Sequence, residues 1–380
     1  MMARALYVHV PFCEQICHYC DFNKFFLKNQ PVDQYVDTAV EEMEMTTKRM
    51  PTEQIDTIYV GGGTPTALTT PQLERLLRGI TTHFPVAPDA EWTVEVNPGS
   101  ADIDKMKMMK QAGVNRLSIG VQTFDEGLLQ AINRDHQNAH VEETLHAAHT
   151  AGITNLSIDL MFGLPTQTFR QWQQTLQAAV SLPVTHISAY SLKIEPKTVF
   201  YQMMNRGHLR MPAQEVEADM YEELLQTAEA NDFLPYEISN FAKPGFESRH
   251  NLTYWNNEGY YGIGAGAHSY TEGIRRRNHG PLPKYFRSME EHGHPYLEEH
   301  PVTFQEKMEE EMFMGLRKRI GVSGTQFHER YGMRLDEAFP SVVPELVEHG
   351  LLERNEERLA LTEKGRLLGN EVFERFLIDQ

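Results

Sequence analysis

The chain has 380 residues, with 35 basic and 53 acidic side chains and a net charge of −18. That length buries a sizeable core, expected as one large domain and a smaller one. The acidic balance excludes a broad nucleic-acid footprint, and no apolar stretch approaches the roughly 18 residues that cross a membrane.

The N-terminus runs directly into an apolar, strand-like segment at 6–10, which leaves no room for a signal peptide. The loop that follows, Cys13-Glu14-Gln15-Ile16-Cys17-His18-Tyr19-Cys20, holds all three cysteines of the chain. Thiolates this close can wrap around one soft metal centre. A [4Fe–4S] cluster takes four thiolates as a rule, so on three it leaves one iron open to a small molecule. Zinc on the three thiolates with His9 or His18 as fourth ligand is the competing reading. A disulfide leaves one thiol over. Clustered cysteines with no others fit a reducing compartment, and the cytoplasm is the expected location.

From there to about residue 194, short apolar runs alternate with helical periods. Strands are expected at 6–10, 55–60, 92–96, 116–119, 155–160 and 186–190, and helices near 33–48, 71–83, 103–112, 141–151 and 169–181. This alternation predicts parallel strands with crossover helices. Six such units suggest a partial (β/α)6 barrel of the TIM type, with its site at the C-terminal strand ends; an open doubly wound sheet fits the same periodicity. The polar motifs fall at those ends. Gly61-Gly62-Gly63-Thr64 follows the second strand, where glycines let the backbone approach a ligand or make a tight turn. Glu95 closes the third strand and is costly to bury without a partner. Gln122 follows the fourth strand, and Arg134 lies twelve residues later. Asp159 sits inside an apolar strand and needs a hydrogen-bond or ion partner, which an internal Arg134–Asp159 pair would supply.

After residue 194 the alternation fades. A helix is expected at 219–231. His250-Asn251-Leu252-Thr253-Tyr254-Trp255 and then Gly262-Ile263-Gly264-Ala265-Gly266-Ala267-His268-Ser269 combine aromatic rings, imidazoles and a glycine-rich turn, which suit a flat aromatic ligand. An exposed imidazole can also ligate heme iron; otherwise His250 caps a loop and Trp255 packs the core. The division expected is 1–235 for the barrel, 236–300 for an extension and 301–380 for a small, mostly helical C-terminal domain. That domain has a winged-helix pattern, with helices at 304–318, 323–331 and 340–349, a hairpin at 351–354 and 358–361, and a last helix at 363–377. The would-be recognition helix carries no Lys or Arg, so it lacks the cations that DNA phosphates require. It is read as a lid or packing module.

C-x3-C-x2-C after a first strand, with Tyr19 before the last cysteine, resembles the radical S-adenosylmethionine (SAM) enzymes. Tyr7-Val8-His9-Val10-Pro11-Phe12-Cys13 resembles one branch, the oxygen-independent coproporphyrinogen III oxidases and their heme-chaperone relatives. The resemblance implies a cluster on Cys13, Cys17 and Cys20 whose open iron is chelated by SAM. It places Tyr7, Tyr19, Gly62, Gly63, Thr64, Glu95, Gln122, Arg134 and Asp159 at SAM sites. H-N-x-x-Y-W resembles the signature of the heme-chaperone relatives, with His250, Trp255 and His268 as heme candidates. The oxidases carry a further cysteine where this chain has Phe22, and a longer segment ahead of the first strand. Both differences point to the relatives. These are implied to bind heme and pass it to apo-hemoproteins of the respiratory chain, with peripheral membrane contact during delivery, and to lack oxidase activity. Oxidative decarboxylation of coproporphyrinogen III is the alternative.

Overall fold

A computed structural model of the protein describes residues 2–355 and 357–377. Six parallel strands occupy the middle of a twelve-stranded sheet: β1 (Ala5–Val10), β2 (Ile55–Gly62), β3 (Val86–Val96), β4 (Arg116–Gln122), β5 (Asn155–Phe162) and β6 (His186–Ser191). Each pairs in parallel with the next. The crossovers are α1 (Val32–Arg49), α2 (Thr70–His83), α3 (Ile103–Ala112), α4 (Asn138–Thr150) and α5 (Phe169–Ser181). Their starts and stops are chemically marked. Thr69 with Gln72 and Thr168 with Gln171 form capping boxes at α2 and α5, and Asp102 accepts from Lys105 N at α3. One apolar core joins the strands to the inner faces of these helices. The chain therefore builds the α/β partial barrel, one of the two architectures that its periodicity fits.

Beyond the six units the sheet continues where the sequence pattern had faded. Tyr260–Ile263 pairs in parallel with the outer edge of β1. His268–Thr271, Ile274–Asn278 and Tyr296–Pro301 then add antiparallel strands. Thr271 faces Ile274 across a two-residue turn, Glu272 and Gly273, with φ of 55° and 76°. That is a type I′ turn, whose twist matches a tight hairpin. At the other edge Asn240–Ala242 runs antiparallel to β6.

Glu42 of α1 holds this extension to the barrel. It is buried, and its carboxylate accepts from Gly264 N at 2.8 Å, Asn278 Nδ2 at 2.7 Å and Tyr285 Oη at 2.6 Å. A second core lies in the C-terminal residues, around a three-stranded antiparallel sheet of Val322–Ser323, Arg358–Leu361 and Leu352–Asn355. The helix expected at 363–377 is two helices, Glu363–Leu367 and Gly369–Glu374. They break at Leu368, which leaves helical geometry at ψ 26°.

Glu42→Ala leaves three buried donors without their acceptor, at about 1–3 kcal/mol each before relaxation. The expected loss of unfolding free energy is about 3 kcal/mol, read as a lower urea midpoint. An unchanged midpoint would show that the extension is held elsewhere.

Candidate metal centre

The cysteine loop lies across the C-terminal strand ends and is fixed by its backbone. Leu27 N donates to Cys13 O at 2.9 Å, Cys20 N to Cys17 O at 3.2 Å and His18 N to Ile132 O at 3.1 Å. Asn133 staples it from the barrel side: its Nδ2 donates to Ile16 O at 2.8 Å, and Gln15 Nε2 donates to its Oδ1 at 2.9 Å. The glycine turn after β2 holds the base of the loop. Gly63 N donates to Val10 O and Thr64 N to Phe12 O. A Cβ on Gly63 would stand 2.7 Å from Phe12 O, and one on Gly62, at φ 110°, would stand 2.3 Å from the His9 ring. Only glycine permits that approach.

All three cysteines line one cavity of about 350 Å³ together with Tyr19, Gly62, Gly63, Thr64, Glu95, Gln122, Arg134 and Asp159. Residues from five strand ends and the loop thus meet in one place. Burial pushes the Cys13 thiol up to about 11, so its thiolate needs a cationic partner. Among the described residues no three His, Cys, Asp or Glu side chains converge closely enough to hold a single metal ion. The imidazoles of the zinc reading are also engaged. His9 Nε2 donates to Asn23 O at 2.8 Å while its Nδ1 accepts from Tyr7 Oη at 2.8 Å, and His18 Nδ1 donates to Ala131 O at 3.1 Å. Three thiols lining one cavity can each serve a different iron of a multi-iron cluster.

The cavity carries charge of both signs that is not spent internally. Glu95 accepts from Tyr59 Oη at 2.8 Å and Gly62 N at 2.9 Å. Burial, with the charge of Asp159, pushes it up to about 7 despite those bonds. Asp159 accepts from Ser118 Oγ at 3.0 Å, and burial raises it too, opposed by Ser118 and Ser188 and by Arg116 and Arg134. Arg134 donates to Gly120 O at 3.1 Å and to Asn97 Oδ1, and its buried Nε has no partner among the described residues. The internal Arg134–Asp159 pair is not formed. Gln122 sits at φ 66° beside a register shift in the β4–β5 ladder, an uncommon conformation for a residue with a side chain. Carboxyls for an amine or sulfonium, a guanidinium for a carboxylate and a glycine turn fit a zwitterionic cofactor such as SAM.

Four candidates stand elsewhere. Tyr7 and the exposed His268 line a neighbouring groove. His250 is buried behind β2, its ring nitrogens bonded to Thr57 Oγ1 at 3.0 Å and Tyr254 Oη at 2.8 Å. Burial, with the charge of Arg116, lowers it to about 3. It is a neutral internal imidazole and not the exposed ligand that the hexamer suggested. Trp255 lies at the joint with the C-terminal core, under the guanidinium of Arg317 at 4.7 Å. Tyr59, Asn97, Arg116, Ser118 and Ser188 line the cavity without having been singled out. Tyr59 and Ser118 face inward at alternate strand positions, a signal the sequence does contain; Arg116 opens its strand as an ordinary surface arginine would.

The Radical SAM superfamily profile matches residues 7–179, and that of the HemN C-terminal domain matches residues 302–368. A heme chaperone HemW of Bacillus subtilis strain 168 is 49% identical, covering 98% of this chain and 99% of its own. The chain belongs to the HemW family of radical SAM proteins. HemW of Lactococcus lactis strain IL1403 is 40% identical over 98% of this chain and 97% of its own, and HemW of Escherichia coli K12 is 34% identical over 99% and 98%. The coproporphyrinogen III oxidase HemN of Escherichia coli, a radical SAM enzyme, superposes with a TM-score of 0.87 at 24% identity, covering 99% of this chain and 90% of that one; it shares the fold. Radical SAM membership implies a [4Fe–4S] cluster and SAM, and the donor set of the cavity fits both.

Glu95 holds its proton up to about 7, against an ordinary 4.5. The folded state therefore binds more protons in that window, and stability falls as pH rises through it. Without ligand, Glu95→Gln is expected to be more stable than the parent at pH 8 by roughly 1–3 kcal/mol, with the difference gone at pH 4, while SAM binding weakens. Thermal unfolding at both pH values and a SAM titration check this. A variant less stable at pH 8 would make Glu95 a structural acceptor only. Cys17→Ser is expected to abolish cluster reconstitution, read as iron and sulfide content, with the far-ultraviolet circular dichroism retained.

Proposed function

We propose that this protein is a heme chaperone, which binds heme and hands it to apo-hemoproteins such as respiratory cytochromes. It carries a [4Fe–4S] cluster on Cys13, Cys17 and Cys20 and binds SAM in the adjoining cavity. The full-length likeness to heme chaperones carries this reading. Held on those three thiolates, the cluster would supply a redox centre at the wall of the SAM cavity.

The chain's own groups set the terms of that binding. Glu95 and Asp159 answer the cationic groups of SAM, and Arg134 answers its carboxylate. Gly62 and Gly63 leave the backbone bare against it, while Gln122 and Tyr19 complete the wall. Burial holds the phenol of Tyr19 protonated, so it acts as a donor. Cytoplasmic heme is the cargo. No described helix is long and apolar enough to cross a membrane, and delivery to respiratory recipients would bring the protein to the membrane surface.

Anaerobically reconstituted protein is expected to bind hemin and to restore the spectrum of an apo-hemoprotein. It is expected to form no protoporphyrinogen from coproporphyrinogen III in the presence of SAM and reductant. Product formation with release of 5′-deoxyadenosine would make it the oxidase instead.

A further inference from the structure

The reading above names a cargo and leaves open where it sits. A second groove, of about 570 Å³, runs between the N-terminal strand and the added edge strands. That is the size of a small-molecule site. Tyr7, Tyr254 and Tyr260 form one wall, with the last two rings edge to face at 4.8 Å. Phe22 and Leu297 face them and are 62% and 50% exposed, so the groove offers broad apolar surface to water.

Its polar groups are as specific. His268, at the start of the strand His268–Thr271, is exposed, and among the described residues its ring has no hydrogen-bond partner. Partial burial and the guanidiniums of Arg277 and Arg275 hold its pKa below the ordinary value, so the ring is neutral and free to ligate. Arg277 is 46% exposed and, among the described residues, paired only with Glu298, itself on the surface, at 3.0 Å. Such an exposed pair is weak and is readily exchanged for another carboxylate. Flat apolar walls, one free imidazole and one exchangeable guanidinium match an iron porphyrin: rings for the macrocycle, imidazole for the iron, cation for a propionate.

We infer that this groove is the heme site, with His268 as axial ligand and Arg277 on a propionate. The inference rests on the heme-chaperone reading and locates it. It also assigns the H-N-x-x-Y-W hexamer a mechanical part. Tyr254 presents its ring to the groove, and His250 is a positioning residue behind it, bonded to its hydroxyl.

The test titrates full-length reconstituted protein with hemin and with iron-free protoporphyrin IX, following the Soret band. His268→Ala is expected to weaken hemin binding by at least about tenfold and to lose the shifted Soret maximum, with protoporphyrin IX binding unchanged. Leu297→Arg, a surface change, is expected to weaken both porphyrins. A His268→Ala protein with parental hemin affinity and spectrum overturns the ligand assignment, and a Leu297→Arg protein that binds both porphyrins as before overturns the groove; in either case the chaperone reading stands. If the parent binds no hemin, the chaperone reading itself fails.

Discussion

The close approach of the glycine turn to the chain entering the cysteine loop sets the geometry of the whole cavity. Two backbone bonds, Gly63 N to Val10 O and Thr64 N to Phe12 O, join the second strand end to the loop base. They leave no room for a Cβ between them. Cys13 is placed by that contact, and Thr64 Oγ1 reaches to 3.8 Å from its sulfur. The same turn donates Gly62 N to Glu95. One short segment therefore positions the nearest thiol and the nearest carboxyl together. A Cβ on Gly63 would push the Val10–Phe12 backbone and one on Gly62 would push the His9 ring, so the cysteine loop and the carboxyl wall are not altered separately here.

The cavity is also where the fold accepts unfavourable electrostatics. Carboxyls are raised by burial, and a guanidinium nitrogen is left without a partner. A core selected for stability alone would pair or replace them. Glu42 is the instructive contrast. It too is buried, and burial likewise pushes it up to about 7, yet three donors close around it. It is a structural carboxylate with its partners inside the chain, whereas Glu95 and Asp159 retain capacity toward the cavity.

Much of this was legible in the sequence, because it is local. Strand–helix alternation, capping residues and the spacing of the cysteines are read over a few residues each. What was not legible depends on long-range pairing. Tyr260–Ile263 is too short and too glycine-rich to announce a strand, and it becomes one only beside β1. The Glu272–Gly273 turn is the one local sign of the hairpin it joins. His250 and His268 are equivalent as letters. Burial beside Thr57 separates them, and Thr57 lies 193 residues away. Arg134 and Asp159 look like mutual partners in the sequence, but the loop that carries Arg134 and the strand that carries Asp159 turn both toward a shared cavity.

Phe22 is a wall of both the cysteine cavity and the tyrosine groove. One ring cannot be arranged for two occupants independently. Any displacement that favours a ligand on one side changes the free energy of a ligand on the other. Linkage then makes the exchange symmetric: whatever factor the first imposes on the second's affinity, the second returns on the first. Phe22, two residues past the last cysteine, would thus couple occupancy of the cavity to retention of a ligand in the groove. A ligand on one side of that ring would set the retention of a ligand on the other, with no need for the two to touch.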